Sequence, residues 1–124
     1  MQGSILIRFI RNSDKHDDDK ITIRKSTTCD DFDLSIKYAG VGYNNSESVT
    51  FYQNISQDNL KKYISSLLVL IMHDEIPYFR IQVDMPNAPS VMLSTNSYSC
   101  ESVCDAINTL VEVTLASWPT DTRS

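Results

Sequence analysis

The chain has 124 residues, 41 % of them hydrophobic and 22 % charged, with a formal net charge of −5. That length and balance suit one domain with an ordinary core, and they exclude a disordered or fibrous polypeptide. The negative charge opposes nonspecific attraction to nucleic acid or anionic lipid and leaves room for a local basic patch at most.

The first half of the chain alternates apolar and polar residues with a period of two. "ILIRFI" (5–10) sets Ile5, Ile7 and Phe9 against Arg8, and "ITIRK" (21–25) sets Ile21 and Ile23 against Thr22 and Arg24. "FDLSIKY" (32–38) puts Phe32, Leu34, Ile36 and Tyr38 on one side and Asp33, Ser35 and Lys37 on the other. "VTFYQ" (49–53) sets Val49 and Phe51 against Thr50 and Tyr52. Such alternation marks half-buried strands. Four in succession without a helix-length connector predict an antiparallel meander.

The period then changes. Ser56 is a good N-cap, with Ile55 and Leu60 placed as a hydrophobic staple around it. Leu60, Ile64, Leu67, Leu68 and Ile71 follow at helical spacing and predict a helix over 57–72. "YFRIQVDM" (78–85) and "SVMLS" (90–94) alternate again around "PNAP", which reads as the turn of a hairpin. A second helix starts near Ser97 or Ser99, with its stripe running from Cys100 and Cys104 to Leu115 and Trp118. The order β-β-β-β-α-β-β-α predicts an α+β fold, with one antiparallel sheet carrying both helices on its apolar face in a two-layer sandwich. Residues 1–118 form that domain, and 119–124 are expected to fray as a tail.

"HDDDK" (16–20) is the densest local group. Asp14, His16 and Asp18 alternate as in a calcium loop, but the sixth position is Asp19 instead of glycine and the twelfth is Lys25 instead of a bidentate acid. In a meander this loop lies roughly 17–20 Å from Asp30 and Asp31, so the two acidic groups do not converge. It reads as the wet tip between two strands. Cys100 and Cys104 are neighbours on one helical face, where two thiols without further ligands make a weak zinc signal and read first as core. His73 beside Asp74 and Glu75 reads as a cation at a helix C-terminus. Neither a nucleophile elbow nor a phosphate-cradling glycine loop is present. The sequence therefore assigns no catalytic residue, metal or cofactor, and a non-enzymatic protein is expected.

Two surfaces remain. The outward positions bring Arg8, Arg24, Lys37 and Arg80 onto one sheet face with Tyr52 and Tyr78, as in sheet-based single-strand binders, although no RNP signature accompanies them. Surplus apolar residues, Leu6 and Ile10 on the first strand and Val69 and Met72 on the first helix, point to self-association as a homodimer. The leading expectation is a small interaction or structural protein, dimeric and working through its surfaces with an unidentified protein partner. A nucleic-acid- or peptide-binding module on the sheet face stands second, and a metal- or redox-linked protein using the helix cysteines third. "MQGSILIRFIR" lacks a long apolar h-region, and "LLVLIM" is too short for a membrane span. A reducing intracellular setting, cytoplasmic or nuclear, is expected, with the virion as a further setting if the source is viral.

Overall fold

The computed structural model describes residues 3–10, 19–41, 47–72, 78–86, 88–96 and 101–118. Within them run β1 (Ser4–Ile10), β2 (Asp19–Lys25), β3 (Phe32–Val41), β4 (Glu47–Ile55), α1 (Gln57–Met72), β5 (Tyr78–Asp84), β6 (Val91–Asn96) and α2 (Glu101–Ala116). The strands form one sheet in the order β4-β3-β2-β1-β5-β6, and every neighbouring pair is antiparallel. The fold is the α+β arrangement that the periodicities predict. Sequence-adjacent strands pair as a meander from β1 to β4 and as a hairpin from β5 to β6. The chain leaves the β4 edge through α1 and returns beside β1, so β1 sits inside the sheet between β2 and β5.

Ile5, Ile7, Ile21, Ile23, Phe79 and Ile81 are fully withdrawn from water. They lie opposite one another across β2, β1 and β5: Ile7 faces Ile21 on one side and Ile81 on the other. Leu60, Ile64 and Leu68 of α1, with Cys104, Ile107, Val111 and Leu115 of α2, join the same cluster. Both helices therefore bury one stripe against one face of the sheet. Phe32 at the start of β3 meets Trp118 beyond α2 edge to face, with ring centroids 5.2 Å apart.

Local chemistry matches the element ends. Ser56 caps α1: its Oγ accepts from the Asn59 amide at 3.3 Å and its carbonyl accepts from the Leu60 amide at 2.9 Å. Ile55 and Leu60 are both buried, as a hydrophobic staple requires. Gly3 precedes β1 at φ +84°, and a Cβ there would stand 2.6 Å from Met85 Sδ and 3.2 Å from the Asp84 carbonyl oxygen. Only glycine suits both that φ and that approach. Tyr63 on α1 is half buried, and its burial, with Tyr38 nearby, pushes its hydroxyl up to about 12.

Two expectations change. β2 begins at Asp19, two residues before the predicted start, and Asp19 is fully buried. The acidic group is thus not all exposed tip: Asp19 takes an inward position of β2 because the alternation that buries Ile21 and Ile23 extends back to it. Val49 and Phe51 occupy the same side of the sheet as Ile36, yet are 42 % and 55 % exposed, because the helices leave the β4 edge uncovered. Val69, read from the sequence as surplus apolar surface on α1, is 45 % exposed. His16 to Asp18, His73, Cys100 and the 119–124 tail lie outside the described residues, as do the side chains of Ile10, Met72 and Tyr78.

Replacing Ile81 with Ala should cost about 2–5 kcal/mol, the range for a truncated buried aliphatic side chain. Val69→Ala should stay within about 0.5 kcal/mol, since its site is exposed. Urea midpoints measured at constant slope distinguish the two.

Candidate functional site

The face of the sheet turned away from the helices is built from the alternate residues of the same strands. Since the apolar residues pair across β2, β1 and β5, their neighbours pair too. Arg8 lies opposite Lys20 on β2 and opposite Arg80 on β5, and Lys20 lies opposite Lys37 on β3. Four adjacent strands thus carry four cations in one transverse row, extended by Thr50 on β4 and Ser94 on β6. Opposed Cα atoms in antiparallel pairs stand about 4.5–5.5 Å apart, so the row spans roughly 15 Å. Lys37 is exposed, whereas Lys20, Arg8 and Arg80 are half-buried. The Arg8 Nε is shielded from solvent and has no hydrogen-bond partner among the described residues.

The next row along the strands holds Tyr52, Ser35, Thr22, Leu6, Gln82 and Met92. Tyr52 is 81 % exposed, an aromatic ring presented to solvent on an edge strand. A third row brings Asn54, Asp33 and Arg24 together. Among the described residues, the two acids on the strands of this face, Asp33 and Asp84, sit away from the cation row and are engaged by neutral donors. Asp33 accepts from Asn54 Nδ2 at 3.1 Å. Asp84 accepts from Gln82 Nε2 at 2.9 Å and from the Ser90 hydroxyl.

Over β2, β3 and β4 the face dips into an open hollow of about 500 Å³, lined among others by Thr22, Arg24, Ser35, Tyr52 and Asn54. At its rim the turn between β2 and β3 is closed by the Ser26 amide donating to the Asp31 carbonyl at 3.0 Å. Lys25 folds back over this turn, its Nζ bonded to the Asp30 carbonyl and 4.6 Å from the Phe32 ring centroid. Cys29 is exposed there, with its Sγ 3.4 Å from Ser26 Oγ and 3.7 Å from Asn54 Nδ2. The Ser26 hydroxyl, then the Asp31 backbone, hold its thiol below the ordinary value.

Arg8, Arg24, Lys37, Tyr52 and Arg80, the sheet-face residues expected from the sequence, all lie on this one face. Lys20, the middle of the row, escaped sequence reading because β2 was expected to start at Ile21. Its even spacing from Thr22 and Arg24 is the signal that could have found it. Leu6 and Val69 do not form one apolar patch: Leu6 lies on the polar face of β1, and Val69 on the helix layer behind it. Cys104 is buried in the core beneath α2. No group of three metal-ligating side chains occurs among the described residues, and no described helix is long and apolar enough to cross a membrane.

Like charges directly opposite each other on neighbouring strands destabilise a sheet. Arg8 has such a neighbour on each side, so Arg8→Gln should raise stability by about 0.5–1 kcal/mol at low salt, and the gain should shrink towards ~1 M salt as the charges are screened. Denaturant midpoints at two ionic strengths check this, and a loss of stability on Arg8→Gln would identify Arg8 as a structural partner instead. In comparisons with the models of known protein families, with curated proteins and with solved structures, nothing matches this chain, so the functional reading rests on the geometry of this face.

Proposed function

We propose that this chain is a non-enzymatic binding protein whose working surface is the polar face of the sheet, and that its ligand there is a single-stranded nucleic acid. The observation that carries the reading is the transverse row Lys37–Lys20–Arg8–Arg80. Four cations aligned on adjacent strands repel one another, and a polyanion laid across the strands relieves that repulsion. The net charge of −5 gives the rest of the surface the opposite tendency, which favours binding confined to this row over general adhesion.

Two features favour a nucleic acid over an acidic peptide. Tyr52 stands exposed two residues along from Thr50, at the end of the cation row, where a base can stack. The hollow beside it offers hydroxyls and amides from Thr22, Ser35 and Asn54, suited to the edges of an unpaired base. The hollow is open to solvent and the cation row beside it crosses four strands, a shape suited to an extended backbone.

The test is fluorescence anisotropy with a labelled oligothymidylate, repeated over a salt series. Affinity should fall steeply as salt rises, because each neutralised phosphate releases counterions. Arg8→Glu combined with Lys20→Glu should abolish binding while the circular dichroism spectrum is retained. Tyr52→Ala should cost roughly 1–3 kcal/mol, the usual worth of one stacked base. Polyglutamate competing as well as the oligonucleotide would replace the nucleic-acid reading with an acidic peptide. Absence of binding at about 50 mM salt, where phosphate contacts are strong, would overturn the proposal.

A further inference from the structure

We infer that the edge strand β4 pairs antiparallel with β4 of a second copy of this chain, joining two sheets into one of twelve strands. The inference is independent of the ligand proposed above.

Among the described residues β4 is paired only on its β3 side, so alternate backbone N–H and C=O groups along its other side point away from the sheet. An extended strand of another chain can pair with a row of that kind along its whole length. β4 is also long, at nine residues, or about 30 Å. Natural edges of this length carry lysine, proline or inward charge to prevent pairing. β4 carries neither lysine nor proline, and its one charge is Glu47 at its outer end: residues 48–55 read SVTFYQNI. Its helix-side residues Val49 and Phe51 are exposed, and Phe51 meets Tyr38 edge to face, with ring centroids 5.9 Å apart.

Charge selects the occupant. Two copies of a chain bearing −5 repel over most of their surfaces, yet along β4 they meet over the uncharged residues 48–55, with the two Glu47 carboxylates kept at opposite ends of the join. Antiparallel self-pairing is a twofold contact and closes at two copies. Full overlap of Glu47–Ile55 places the twofold axis at Phe51. Phe51 then lies opposite Phe51 of the second copy, and Val49 lies opposite Gln53. On the polar side, Thr50 lies opposite Tyr52. Because that axis is perpendicular to the sheet, both helix layers lie on one side and both polar faces on the other. The two Tyr52 rings flank the join, with a cation row leading away from each.

Light scattering on the purified chain without nucleic acid tests this, so its outcome does not depend on oligonucleotide binding. The expected mass is twice the 14.1 kDa of one chain. Phe51→Lys, or Val49→Lys if the first loses its circular dichroism spectrum, should give a single chain. Met92→Lys, equally exposed but on the β6 edge, should leave the dimer intact. A wild-type chain that stays at 14.1 kDa at about 100 μM, well above the Kd of an ordinary stable homodimer, would overturn the inference. So would dissociation by Met92→Lys but not by Phe51→Lys. Species larger than two copies would replace the closed pair with an open β4-to-β6 chain.

Discussion

Ile5, Ile7, Ile21, Ile23 and Ile81 lie opposite one another across three neighbouring strands and are wholly buried beneath two helices. Their burial fixes the register of the sheet. A slip by one residue would turn the buried isoleucines of a strand to water and Arg8, Lys20 or Arg80 to the core. At roughly 1.5–3 kcal/mol for each fully buried aliphatic side chain, such a slip is out of reach. The outer face inherits this constraint. Arg8, Lys20, Lys37 and Arg80 are aligned because the residues beside them in sequence are aligned inside.

That coupling explains how the protein can carry an unfavourable surface. Each like-charged pair on the face costs a fraction of a kcal/mol, small beside the burial that sets the register. The cations are held in place by the core and need no partners of their own. Asp33 and Asp84, which could have neutralised the row, stand elsewhere on the face and accept from Asn54, Gln82 and Ser90. A rigid, pre-aligned row of charge is what a binding surface needs if it is to lose little entropy when a ligand arrives.

Much of this fold was legible from periodicity alone. The alternation in "ILIRFI", "ITIRK" and "FDLSIKY" located three strands and assigned their faces correctly, and the cap and staple around Ser56 placed α1 at its observed limits. What was not legible depends on contacts distant in sequence. Nothing in the residues of β5 announces that it pairs with β1 and not with β4, yet that pairing sets Arg80 beside Arg8. Lys20 was hidden by the run of aspartates before it, which looked like loop. Period two says that Val49 and Phe51 share a face with Ile36, but coverage of that face is decided by where two helices can lie. Two helices are too narrow for six strands, and the β4 edge is left bare.

One register both buries the core and aligns the cation row proposed to bind nucleic acid. An amide chemical-shift titration of isotope-labelled protein with oligothymidylate tests it directly. The account predicts perturbations concentrated at residues 8, 20, 37, 52 and 80, with the amides of α1 and α2 undisturbed. Perturbations centred on the helix layer, or none on the sheet face at saturating ligand, would contradict it.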